Sequence, residues 1–313
     1  METVNEITDE KLYLISESIR QVVIETLSGC DSGRLSIHKG DMKGHHLADQ
    51  KVYESIKRFA MDKKVASVIF IEGEETIYTG ADSNLVLLID PVDGSVNRDL
   101  KVGDPALSIA FSEKRSPKFE DIIGGYVYCL HSGNEYFSIK GKSYFRESKD
   151  AEFVQIFCDS KVDKLEDAIL YFNDGYGKEM SKSAFLKAGA LPYFVKHRNA
   201  FDNSAAEICQ MARGAAHIRV EARSYENHNG SGGSDHANIL SAFAIAKPAG
   251  IKITDLSGEN ISGLKIEMDK PQDFICATSR EILQQVVAII SENRSLLNSI
   301  ISVTTLQKNN KKA

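Results

Sequence analysis

The chain has 313 residues, 42% hydrophobic, 8% aromatic and 26% charged, a balance of globular protein that excludes disordered and collagen-like chains. Thirty-eight Lys and Arg against 44 Asp and Glu leave a net charge of −6, so no basic surplus draws the molecule to nucleic acid or anionic lipid. A metal ion or a small phosphorylated molecule fits better. The five cysteines (Cys30, Cys129, Cys158, Cys209, Cys276) form no CxxC pair, which argues against a disulfide framework or zinc knuckle and for a reduced cytoplasm. The first residues are acidic where a secretory signal is basic, and no apolar run reaches the ~18 residues of a membrane span.

Leu12, Ile15, Ile19, Val22, Val23 and Leu27 recur at helical spacing until Gly29 and predict an amphipathic opening helix. A second helix is expected from Leu47 through Val52, Ile56 and Phe59. The run 65–71 reads as a strand ending at an acidic turn with Glu72, Glu74 and Glu75, and 85–89 as a strand ending on Asp90. Further strands are expected at 106–111, 122–130 and 136–139, separated in the manner of a meander. The first half, 1–150, is thus predicted to be an α+β, mainly antiparallel domain carrying the acidic motif.

From about residue 151 the rhythm changes to α/β alternation. Strands are expected at 153–158, 194–196 and 217–220, and helices at 178–188 and 204–213. The stretch 225–234 reads as a Gly-rich loop, followed by a helix of small residues over 236–246. A strand at 274–277 and a helix through Ile282, Val286, Val287 and Ile290 close the second half, 151–313, and the tail from Gln307 reads as a frayed end.

The most informative stretch is Asp90-Pro91-Val92-Asp93-Gly94-Ser95-Val96-Asn97. An apolar strand delivers one carboxylate, the chain is expected to turn at the proline, and a second carboxylate follows three residues on. Like charges this close need a positive partner, and a hard divalent cation, Mg²⁺ first, is the usual one. Gly94 permits close approach, and if 95–97 open a helix, its free N–H groups suit a phosphate oxygen. The plain alternative is an Asp-Gly turn with a capping serine. If the preceding strand ends at the same sheet edge, Glu74 comes beside Asp90; by itself the Glu74-Glu75 pair is a solvated turn. Asp49 and Asp235, each at a helix start, read equally well as N-caps. Gly141-Lys142-Ser143 ends like a phosphate-binding loop but lacks its first glycine, so it reads as a hairpin exit. His45-His46 is left as surface.

In this order the segments resemble the inositol monophosphatase family: Gly73-Glu74-Glu75, then the 90–97 motif, then Ser234-Asp235-His236-Ala237 in place of a Trp-Asp-x-Ala motif, with 48–51 and 274–282 as supporting segments. The resemblance spans roughly 12–290. It implies a layered αβαβα sandwich of the sugar phosphatase type and Mg²⁺-dependent hydrolysis of phosphate monoesters, with inositol monophosphate or fructose 1,6-bisphosphate as substrate. Carried over, Glu74, Asp90 and the Val92 carbonyl hold one Mg²⁺, Asp90, Asp93 and Asp235 a second, and Asp49 with Glu74 a third, looser ion. Ser95 with Glu74 orients the attacking water, the N–H groups of Gly94 and Ser95 grip the phosphate, and Ser204, Ala205 and Glu221 meet the alcohol portion. One ion activates the water and the other stabilises the leaving oxygen. Departures from the family pattern are the missing tryptophan, no clear glycine before Ser204-Ala205, and a longer loop between Glu221 and Asp235. A cytoplasmic homodimer is the expected setting. The alternatives are a nucleotide 3′-phosphatase acting on adenosine 3′,5′-bisphosphate, or a metal-binding regulatory protein without turnover.

Overall fold

The computed structural model describes residues 7–30, 47–173, 178–201, 203–224 and 234–310. The Thr8 hydroxyl caps the first helix, α1 (Asp9–Ser28), by accepting the Lys11 N–H at 3.2 Å, and Gly29 closes it. Its buried stripe of Leu12, Ile15, Ile19 and Val23 packs on Val52, Ile56 and Ala60 of α2 (Leu47–Lys63). Each such fully buried aliphatic side chain contributes about 1.5–3 kcal/mol.

The first sheet is built from β1 (Val68–Ile71), β2 (Ile77–Tyr78), β3 (Val86–Asp93), then, after the short helix α3 (Ser95–Leu100), β4 (Ala106–Ser112), β5 (Ile122–Cys129), β6 (Glu135–Ile139), β7 (Lys142–Arg146) and β8 (Val154–Gln155). Its order is β2-β1-β3-β4-β5-β6-β7-β8, antiparallel throughout except for β1 beside β3. The second half adds β9 (Ile169–Phe172), α4 (Lys178–Ala188), β10 (His197–Asn199), α5 (Ser204–Ala212), β11 (Ile218–Glu221), α6 (His236–Ala246), β12 (Lys252–Thr254), β13 (Phe274–Ala277) and α7 (Arg280–Asn310). Its five strands run in the order β10-β9-β11-β13-β12, with β9 parallel to both neighbours.

Strand alternation sorts these elements into layers. Leu87, Ile89, Leu107, Ile109 and Phe111 face α1 and α2, while Ala106, Val127 and Tyr136 face α5 and α6. Tyr171, Phe274 and Cys276 of the second sheet meet α5 and α6 from the other side, and Leu170, Val220, Ile275 and Ala277 pack on Ala184 and Ala188 of α4 and Ile282, Val286 and Ile290 of α7. The expected αβαβα sandwich is present. Helix α6 sits so close to the first sheet that a Cβ on Gly125 would lie 2.4 Å from the Ser241 carbonyl oxygen, so only glycine fits there.

Several elements differ from their sequence-based expectation. β3 does not turn at Pro91 but runs on to Asp93, with a register irregularity against β4 between Asp90 and Asp93 that absorbs the proline. The strand expected at 153–158 is the two-residue β8, which joins the edge of the first sheet rather than the second. Residues 191–193 form a 3₁₀ turn and the strand follows later, as β10. Part of the tail is helical, because α7 continues to Asn310. Lys140 and Gly141, both at positive φ, make the two-residue turn of the β6–β7 hairpin, as the hairpin reading expected. His45, His46 and 225–233 lie outside the described residues. No helix among the described residues is long and apolar enough to cross a membrane.

Candidate active site

The parity of β3 aims the first acidic residue. Val86, Leu88 and Asp90 alternate onto the face that meets α6, opposite Leu87 and Ile89. Asp93, beyond the irregularity, returns to the same region, and both carboxylates are buried, Asp90 at 2% exposure. Asp235 enters from the second half, at the N-cap of α6. Its side chain makes no capping hydrogen bond, so the plain N-cap reading does not account for it; the carboxylate is 3% exposed and its Oδ1 has no hydrogen-bond partner.

The third carboxylate beside Asp90 is Glu72, a residue the motif-based reading passed over in favour of Glu74. β1 and β3 are parallel with Ile71 opposite Ile89, which sets Glu72 alongside Asp90, and the Glu72 N–H donates to the Ile89 carbonyl at 3.0 Å. Glu74 falls beyond, on the turn closed by its own N–H to the Ile71 carbonyl. Register and strand parity, Val68, Phe70, Glu72, are the signals that point to Glu72 as the neighbour of Asp90.

Electrostatics follow from this geometry. Burial, then the charges of Glu72 and Asp93, push the Asp90 carboxyl well above its ordinary pKa. Burial, followed by Glu72, Asp269 and Glu221, raises Asp235 to about 8. Neither Asp90 nor Asp235 has a salt-bridge partner among the described residues. Among those residues, no three His, Cys, Asp or Glu side chains already close on one metal position. The donor set nevertheless suits a hard cation: it is all oxygen, buried and mutually repelling, and it includes the unpartnered Asp235 Oδ1.

The remaining motif residues surround this cluster. The Val92 N–H donates to Asp90 Oδ1 at 2.9 Å, which fixes that carboxylate and places Val92 within the site. Gly94, at φ 81°, is the N-cap of α3, and Ser95 opens that helix, as the sequence suggested. The side chain of Asp49, in α2, lies outside the described residues.

The residues expected to meet the alcohol portion are engaged by neighbours within the chain. Glu221, 1% exposed, accepts at Oε1 from the Ala222 and Arg223 N–H groups (3.1 Å each) and Arg223 Nε (2.7 Å), and at Oε2 from Arg223 Nη2 (2.6 Å), Arg219 Nη2 (3.3 Å) and Ser234 Oγ (2.6 Å). With every lone-pair direction engaged, it has no capacity for a substrate hydroxyl. Burial alone would raise its pKa, but Arg223, Arg219 and Ser234 hold it well below the ordinary carboxylate range. The Ser204 hydroxyl is engaged by Ser234 and by Arg219 Nη2, and the Ala205 N–H donates to Asp93 Oδ2 at 2.7 Å. Arg219 completes the group by pairing its Nε with Glu207 Oε2 at 2.6 Å. The signal was in the sequence: Arg219, Glu221 and Arg223 alternate at strand spacing and so share a face.

A five-layer sandwich whose first sheet brings buried carboxylates to the N-terminus of α6, where Asp235 joins them, is the arrangement of the layered sugar-phosphatase class. The chain matches the model of the inositol monophosphatase family over residues 16–296 and belongs to that family; it is a phosphatase. It is 26% identical over 206 residues, 64% of this chain and 67% of the relative, to the fructose-1,6-bisphosphatase/inositol-1-monophosphatase of Archaeoglobus fulgidus. Among solved structures, a Pyrococcus horikoshii protein described as similar to inositol-1 monophosphatase superposes with a TM-score of 0.69 at 20% identity, covering 90% of this chain and 98% of that one. Inositol monophosphatase II of Staphylococcus aureus, in its complex with inositol monophosphate, gives 0.63 at 14% identity over 95% and 98%.

Proposed function

We propose that this phosphatase is a Mg²⁺-dependent hydrolase of small phosphate monoesters, with inositol monophosphate and fructose 1,6-bisphosphate as substrates, working as a cytoplasmic homodimer. The observation that carries the reading is the convergence of half-buried Glu72 with buried Asp90, Asp93 and Asp235, in which Asp90 and Asp235 have no cation among the described residues paired with them. Asp90, Asp93 and Asp235, with Glu72 and the Val92 carbonyl, would hold two Mg²⁺ ions, and Asp49 with Glu74 a looser third. Bound there, Mg²⁺ supplies a nucleophilic water at neutral pH and offsets charge on the phosphoryl group. Ser95, at the start of α3, orients that water, and the N–H groups of Gly94 and Ser95 bind phosphate oxygens. Because Glu221 is saturated by its own neighbours, we assign the polyol hydroxyls to groups other than Glu221.

The test is phosphate release from inositol 1-phosphate, fructose 1,6-bisphosphate and adenosine 3′,5′-bisphosphate, each with Mg²⁺ and with EDTA. Release from the first two that EDTA abolishes and Mg²⁺ restores is the expected result. Full activity in chelator would end the metal reading, and release from the nucleotide alone would replace the substrate class.

A further inference from the structure

Asn238 was not singled out by any motif, yet it stands at the centre of the acidic cluster. It lies three residues after Asp235, in the first turn of α6, so both side chains project from one face of the helix. Its Nδ2 donates to Asp90 Oδ2 at 2.9 Å and to Asp93 Oδ1 at 3.2 Å, bridging the two acids. The other oxygen of each acid is held by backbone: Asp90 Oδ1 by the Val92 N–H at 2.9 Å and Asp93 Oδ2 by the Ala205 N–H at 2.7 Å. Each of the four oxygens therefore has an N–H donor fixing its orientation, and one donor does not exhaust a carboxylate oxygen.

A buried amide is an expensive choice unless its position matters, and Asn238 is 9% exposed with its own Oδ1 unpartnered. An arginine or lysine at this place would hold the two acids together by neutralising them and would compete with any cation. An alanine would leave two like charges free to splay apart. The neutral amide does neither: it sets their separation and leaves their charge available.

We propose that Asn238 is a positioning residue that holds Asp90 and Asp93 as a pre-formed pair and thereby sets the affinity of the site for its divalent cation. The proposal rests on the metal-dependent reading above. Calorimetric titration of Mg²⁺ into the chelator-treated full chain tests it, with folding of each variant checked by circular dichroism. Asn238→Ala should weaken Mg²⁺ binding by roughly 10- to 100-fold, the range for partners that orient metal ligands. At saturating Mg²⁺ the KM for the phosphate ester should change little, because the amide acts through the carboxylates. Asn238→Ser, which keeps one O–H donor and disturbs packing less, should fall between wild type and Asn238→Ala. Wild-type Mg²⁺ affinity in the folded variants overturns the positioning role. Absence of Mg²⁺ binding by the unaltered chain would instead overturn the metal reading beneath it.

Discussion

Two groups of buried carboxylates lie within a few residues of each other in this molecule and have opposite characters. Glu221 and Glu207 are wrapped around Arg219 and Arg223, much as Glu135 is held between Arg20 and Arg146 where α1 meets β6 and β7. Asp90 and Asp235 have no such partner among the described residues, and burial with neighbouring acids drives their pKa values up instead of down. A carboxylate that brings its own arginine is neutralised within the fold and holds elements together. One buried among other acids is at ease only when something from solution completes it. The contrast separates scaffold from site more reliably than sequence position, since Ser234 binds Glu221 while its neighbour Asp235 belongs to the other group.

The largest effect that would break this comparison is expected at Glu221. Glu221→Gln keeps the shape but leaves two buried arginines undercompensated, and should destabilise the protein by about 3–5 kcal/mol in denaturant unfolding. Activity of the folded fraction on a polyol phosphate and on p-nitrophenyl phosphate should fall by the same factor. A selective loss on the polyol would return Glu221 to the substrate pocket.

Next in size is the choice between the two acids after β1. Glu72→Gln should reduce kcat/KM on the order of 10²-fold or more by removing a charge from the cation site. Glu74→Gln should act far more weakly. The reverse order would favour the motif-based assignment over strand register.

A smaller effect concerns His236, which follows Asp235 and accepts the Glu267 N–H at Nδ1 (3.0 Å). Burial lowers its pKa to about 4, so the folded protein keeps it neutral to that pH. The unfolded chain takes up the proton below about 6.5, so stability is full above that pH and is lost as pH falls toward 4. Thermal unfolding across this window should show a loss on the order of 1–3 kcal/mol that His236→Asn removes. An unchanged slope in the variant would assign the loss to other groups.

Much of the fold could be read from the sequence because its layers are strongly patterned. The spacing of Leu12, Ile15, Ile19 and Val23 located α1, and the small-residue run located α6 at His236–Ala246. Among what escaped, β9, Ile169–Phe172, has no polar alternation, β2 and β12 are two or three residues long, and β7, Lys142–Arg146, was legible only as a hairpin exit. Within the acidic cluster, Asp90, Asp93 and Asp235 were legible as motif residues. Glu72 was not, because a Gly-Glu-Glu match outweighed the parity of β1. The arginine partners of Glu221 and the bridge from Asn238 depend on contacts between distant segments, which local pattern indicates only through shared faces.

The most direct test of the contrast is thermal unfolding of the chelator-treated protein as Mg²⁺ is added, compared with Asp90→Asn. Wild type should gain stability with Mg²⁺, about 2.7 kcal/mol at a concentration 100 times Kd, a rise of several degrees. Asp90→Asn, relieved of one buried and repelled charge, should unfold at or above the wild-type temperature without metal and respond little to Mg²⁺. No Mg²⁺ response in wild type, or an equal one in Asp90→Asn, would contradict the assignment of this acidic cluster as the cation site.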